Sequence, residues 1–150
     1  MIDVYHDREI ETMDAEGLKA LQLLRFKKAV AGALKTPFYK KRLAGVGLES
    51  AEDLKSLDDV QKIPFTTKDD LREAYPYGLL ASDLSEVVRM HASSGTTGTP
   101  TVIYQTAADL GRWTDLTTRS LVAVGCHRGD VFQNMMTYGL FTGGMGLHYG

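Results

Sequence analysis

Cysteine is all but absent. Cys126 stands alone among 150 residues, so no internal disulfide can form, and without a C-x-x-C pair or a histidine at ligand spacing it signals neither a redox nor a metal site. Set among apolar residues and glycine, it reads as a buried free thiol. Long apolar runs are missing as well: none approaches the roughly 20 residues that span a bilayer. The opening stretch carries Asp3, Asp7, Arg8, Glu9, Glu11 and Asp14, which excludes the basic-then-apolar order of a signal peptide. Taken with the lone thiol, these absences point to a reducing cytoplasm. A basic excess is also lacking. Lys and Arg total 17 against 19 Asp and Glu, a net charge of −2, so no overall field draws nucleic acid or an anionic membrane. His6, His91, His127 and His148 fall in no i, i+4 or H-E-x-x-H arrangement, and no metal site is expected from them.

What is present is a globular composition. Hydrophobic residues make up 43% and charged residues 24%, values that build a core and exclude a disordered chain. Asp14 suits the N-cap of a helix carrying Leu18, Leu21, Leu24, Ala29, Val30, Ala33 and Leu34, which Pro37 ends. A short helix over Tyr39 to Leu43 stops near Gly45. The pairs Ser50 with Asp53 and Thr67 with Asp70 have the spacing of capping boxes and open further short helices, and Tyr75 to Gly78 marks a turn. A helical lead-in over about 1–84 follows from these signals.

The periodicity then changes. From Glu86 to Ala92 alternation predicts a strand, and Thr101 to Tyr104 is a second β-branched run. Thr106 with Asp109 opens a helix through Leu110, Trp113, Leu116, Leu121 and Val124, with Gly125 as its stop. Val131 to Met136 reads as a buried strand, and a helix is expected to begin near Thr142. The fold class is α/β, with an incomplete sheet in the region 85–150.

Between the first two strands lies Ser93-Ser94-Gly95-Thr96-Thr97-Gly98-Thr99-Pro100. Two glycines let a backbone approach an anion closely, and the hydroxyls add donors without charge. By composition the stretch suits a phosphate loop and a plain turn equally. A Walker A loop is excluded by the missing Gly-Lys-Ser/Thr ending, and a dinucleotide fingerprint by the missing G-x-G-x-x-G, which Gly143-Gly144-Met145-Gly146 does not supply either.

Ser93 to Pro100 resembles the phosphate loop of the adenylate-forming superfamily. Thr36-Pro37-Phe38-Tyr39, Ile63 to Lys68, His91-Ala92-Ser93-Ser94 and Tyr138 to Gly144 are similar to phenylacetate-CoA ligases. The loop departs from that pattern in carrying Thr99 and Thr101 where lysines are common, which leaves it without a cation.

The resemblance implies ATP-dependent activation of an aryl acid, through an acyl-adenylate, to its coenzyme A thioester, with ATP, Mg²⁺ and coenzyme A as the other participants and a homodimer as the expected assembly. It assigns phosphate binding to Ser93, Ser94, Gly95, Thr96, Thr97, Gly98 and Thr99, and acid binding to Tyr138, Phe141, Gly143 and Gly144. It implies no nucleic-acid or membrane partner. It maps no catalytic glutamate, aspartate or lysine onto this chain, so the 150 residues alone are expected to be inactive. Two other classes fit the same residues: an anion-binding module that has lost its chemistry, favoured by Thr99 and Thr101, and an interaction domain built on the helical first 80 residues.

Overall fold

The computed structural model describes residues 4–93, 100–140 and 142–150. The chain forms two compact units, one from Met13–Asp83, the other from Leu84–Gly150 together with the amino-terminal residues up to Thr12.

The first unit is helical. Asp14 caps α2 (Ala15–Ala33) by accepting the Gly17 N–H at 2.7 Å, as its sequence position predicts. Pro37 does more than end that helix: it occupies the first turn of α3 (Pro37–Ala44), where its missing N–H is not needed. Thr36, 1% exposed, serves both helices. Its hydroxyl donates to the Ala33 carbonyl at 2.8 Å and accepts from the Tyr39 N–H at 3.3 Å.

The short helix expected to open at the Ser50 and Asp53 pair is in fact two short three-ten turns, Ala51–Asp53 and Leu57–Lys62, separated by extended backbone at Leu54. Each has its own capping box, the second made by Ser56 and Asp59. Leu54 is thereby turned into the core with Val30, Leu43 and Leu48, against which Phe26, Leu34, Val46 and Ile63 pack. Only the carboxyl-terminal half of the α2 apolar stripe joins this core. Leu18 and Leu24 stay exposed.

A third box, Thr67 with Asp70, opens α4 (Lys68–Glu73). Two stretches that resemble ligase sequence meet here, because the Tyr39 hydroxyl lies 2.7 Å from Thr66 Oγ1 and Arg42 reaches Asp70. Arg42 therefore departs from the solvated face that its neighbours Lys40 and Lys41 keep.

In the second unit β1 (Val87–Ala92) pairs antiparallel with β2 (Val102–Thr106), with Met90 opposite Tyr104 and Ala92 opposite Val102. Thr106 and Asp109 then cap α5 (Ala107–Ala123). Gly125, at φ +95°, ends it: its N–H donates to the Val122 carbonyl and the Cys126 N–H to the Leu121 carbonyl. That paired pattern needs a left-handed residue, which glycine adopts without strain. Cys126 is half-buried rather than enclosed.

The amino terminus packs on the same helix. Beside α1 (Arg8–Glu11), His6 Nε2 lies 2.8 Å from Asp115, and Arg119 Nε lies 3.3 Å from Glu11. The unit closes with α6 (Thr142–Tyr149), whose start matches the sequence expectation.

One expected element does not form. Val131 to Met136 is irregular, with Val131, Phe132 and Met135 exposed. A strand needs a ladder partner, and among the described residues β1 and β2 pair only with each other. Asn134 also interrupts extension, since its Oδ1 accepts the Met136 N–H at 3.0 Å, a local turn that competes with a ladder.

Candidate functional site

The glycine-rich stretch joins β1 to β2, and its two ends are held together. The Ser93 N–H donates to the Thr101 carbonyl at 2.9 Å, extending the ladder one step past Ala92. The Ser93 hydroxyl accepts from the Thr101 N–H at 3.1 Å and lies 2.9 Å from Thr101 Oγ1. Ser93, expected to contact phosphate, is thus engaged with the opposite end of the segment. Ser94, Gly95, Thr96, Thr97, Gly98 and Thr99 lie outside the described residues, as does Phe141.

The expected acid-binding residues fall on the segment before α6 and on its first turns. Tyr138 is exposed on one side, and its hydroxyl meets His148 Nδ1 at 3.0 Å and accepts from Asn134 Nδ2 at 3.2 Å. Its ring stands edge-on to His148, with centroids 5.5 Å apart. Gly143 is half-buried in the first turn of α6.

Gly144 is buried, and a Cβ there would stand 2.7 Å from the Thr137 carbonyl oxygen. The space beside it is therefore filled by backbone, and its own carbonyl accepts from Asn134 Nδ2 at 2.8 Å. Asn134, which sequence reasoning passed over, ties this segment to the helix. A lone asparagine in an apolar run was the available signal.

A direct link joins the two groups of residues. The Leu140 carbonyl accepts the Ala92 N–H at 2.8 Å and lies 3.1 Å from His91 Nδ1. His91 is 1% exposed and meets Trp113 edge to face at 5.2 Å. Trp113 in turn packs on Gly146, where a Cβ would lie 2.8 Å from its ring.

On another side of α6, Arg89, Leu110, Trp113, Met145 and Tyr149 line a cavity of about 160 Å³. None of them was expected to bind substrate. Arg89 lies over the Tyr149 ring at 4.9 Å and donates to its hydroxyl at 3.2 Å, so its cation is engaged within the unit. Among the described residues no group of three or more His, Cys, Asp or Glu could hold a metal ion, and no helix is long and apolar enough to cross a membrane.

A strand, a glycine- and hydroxyl-rich connection and a returning strand, followed by a helix and an aromatic segment, define the class. The chain matches the amino-terminal portion of acyl-CoA ligases of the adenylate-forming superfamily. Its fold matches the crystal structure of 2-hydroxyisobutyryl-CoA ligase in complex with 2-HIB-AMP and CoA, with a TM-score of 0.87 and 28% identity over 98% of this chain and 32% of that one. An open conformation of the same ligase gives 0.86 at 27% identity, over 98% and 35%.

Within that class the chain corresponds to the amino-terminal part of the phenylacetate-CoA ligase family. It is 43% identical to the phenylacetate-coenzyme A ligase of Pseudomonas putida, over 99% of this chain and 35% of that protein. Identity is 47% to the ligase of that name from Thermus thermophilus, over 95% and 32%, and 43% to that of Escherichia coli K12, over 94% and 32%. The chain spans about a third of the length of these curated relatives. No protein-family model matches it.

Proposed function

We propose that this chain supplies the phosphate loop and part of the acid pocket of an ATP-dependent ligase that converts an aryl carboxylic acid, phenylacetate or a close relative, to its coenzyme A thioester. The observation that carries the reading is the closure of β1 and β2 by Ser93 and Thr101 around the connection 94–99, in a chain 43–47% identical to phenylacetate-coenzyme A ligases.

In this reading an oxygen of the acid carboxylate attacks the α-phosphorus of ATP. The bond to the β-phosphate oxygen breaks, and pyrophosphate leaves with its electrons. The thiol of coenzyme A then displaces AMP from the acyl-adenylate. A carboxylic acid is already ionised at neutral pH, so the first step needs alignment and charge stabilisation rather than a general base.

Ser94 to Thr99 hold the β- and γ-phosphates through backbone N–H groups and hydroxyls, with Ser93 setting the base of the loop. Tyr138, Phe141 and Gly143 line the acid pocket, and Gly144 shapes it by letting Thr137 approach. Mg²⁺ bound to the triphosphate would supply the charge neutralisation that this lysine-free loop does not. The ligase works in the cytoplasm as a homodimer.

The full-length ligase is expected to release pyrophosphate from ATP and Mg²⁺ only when an acid is present, fastest with aryl acetates, and to form the thioester when coenzyme A is added. The isolated 150 residues are expected to do neither. Pyrophosphate release by the isolated chain well above a no-protein control overturns the division of labour. Acid-independent phosphate binding without pyrophosphate release in the full-length protein would favour the anion-binding module instead.

A further inference from the structure

His91 is fully buried, yet neither phosphate binding nor acid binding gives it a task. Packing alone does not call for an imidazole at this place. Leucine or phenylalanine would fill the space beside Trp113, whereas His91 leaves Nε2 buried without a hydrogen-bond partner among the described residues, an arrangement that costs stability. What the imidazole adds is at Nδ1. Leu140 offers a carbonyl oxygen, which can only accept, so in the neutral ring the proton sits on Nδ1 and points at that oxygen over 3.1 Å.

The same oxygen takes the Ala92 N–H at 2.8 Å. Ala92 is the last residue of β1, immediately before Ser93, and Leu140 precedes Phe141 at the entrance to α6. One carbonyl therefore anchors both the strand that leads into the phosphate loop and the segment that carries the acid pocket. No other hydrogen bond between described residues joins β1 to residues 131–140.

We propose that His91 is a positioning residue for adenylation, holding the acid pocket in register with the phosphate loop so that the bound carboxylate faces the α-phosphorus. The inference rests on the ligase reading above. It assigns His91 an effect on alignment rather than on the binding of either substrate. In-line attack needs reacting atoms about 3–3.5 Å apart, and a misplacement of about 1 Å costs on the order of 10²-fold in rate.

The test uses His91→Ala, His91→Gln and His91→Asn in the full-length ligase. Asparagine places an N–H near the Nδ1 position and has no counterpart of Nε2; glutamine and alanine offer nothing at Nδ1. The kcat for pyrophosphate release with phenylacetate is expected to fall by about 10–100-fold in the alanine and glutamine variants, with KM for ATP and for the acid each changed less than about threefold, and to return within about threefold of wild type in the asparagine variant. An unchanged kcat in His91→Ala overturns the inference. So does a rise in both KM values with asparagine no better than alanine, which is the pattern of a packing residue.

Nitrogen NMR of the histidine-labelled wild type reads the proton independently of turnover. Nδ1–H is expected, and Nε2–H overturns the His91 assignment while leaving the ligase reading intact. A wild-type protein with the Nδ1–H ring that releases no pyrophosphate with any acid overturns the ligase reading, and the His91 assignment with it.

Discussion

Arg42 on α3 donates to the Asp70 carboxylate at 2.9 Å, and that carboxylate is already the N3 group of the α4 capping box, accepting the Thr67 N–H at 2.7 Å. One acid thus starts a helix and fastens it to another. The Thr67 amide is the larger influence and the guanidinium the second, and together they bring the Asp70 pKa from its ordinary 3.8 down to about 2. A group whose pKa is lowered by folding stabilises the fold above its unfolded value, and that contribution is lost as pH falls through the folded one. The Asp70 contribution is therefore intact above pH 3.8 and disappears toward pH 2. A carboxyl carbon NMR titration is expected to show the low midpoint. Arg42→Met should raise it, yet leave it below 3.8 because the amide still donates. A midpoint unmoved by that change would mean that the ion pair does not form in solution.

Leu54 is the most enclosed apolar side chain in the first unit, at 0% exposure. Its place between two three-ten turns leaves little freedom for neighbours to collapse into a void. Leu54→Ala is expected to destabilise by about 2–5 kcal/mol, read from urea unfolding. A loss under about 1 kcal/mol would show that the surrounding turns relax into the space.

Two helical glycines should respond in opposite directions. At Gly146 a Cβ would lie 2.8 Å from Trp113, so Gly146→Ala is expected to cost about 1–3 kcal/mol through forced displacement of the ring. Gly111, inside α5, has nothing within 4 Å of its would-be Cβ, and Gly111→Ala should stabilise by about 0.5–1 kcal/mol through helix propensity alone. Comparing the two thermal midpoints with wild type checks both signs at once.

For the loop, Thr99→Lys in the full-length ligase adds a cation where the sequence has none. The KM for ATP is expected to fall, and to fall more at low ionic strength, where a partly exposed charge is less screened. Gly95→Val should do the reverse, cutting ATP-dependent turnover, because a β-branched side chain resists the backbone that close phosphate approach requires. A folded Gly95→Val protein with normal ATP kinetics would reduce the segment to a turn.

The helix starts were legible because their chemistry is local. Asp14, Thr67 with Asp70 and Thr106 with Asp109 each act within four residues, so spacing alone located α2, α4 and α5. The Ser56 and Asp59 box has the same signature and was missed. It lies only six residues after Ser50, where one helix was read instead of two turns.

Long-range relations left no such trace. Nothing in the text near His91 points to a carbonyl 49 residues away, and nothing near residues 1–12 announces the pairs with Asp115 and Arg119. Val131 to Met136 has strand composition, but a strand is a property of two segments, and composition reports on one. The stretch Ser93 to Pro100 reads as a phosphate loop from its text alone, whereas the pairing of Ser93 with Thr101 that draws its ends together leaves no signature in the sequence.

That same run from Val131 to Leu140 has a consequence for the life of the chain outside any enzyme. Val131, Phe132, Met135, Met136, Tyr138 and Leu140 are all exposed within ten residues, a density of apolar surface that settled monomers seldom show. To a cell's quality-control machinery such a stretch is the mark of unfinished business. Produced by itself, the chain is expected to draw holdase chaperones and, once they are saturated, to precipitate.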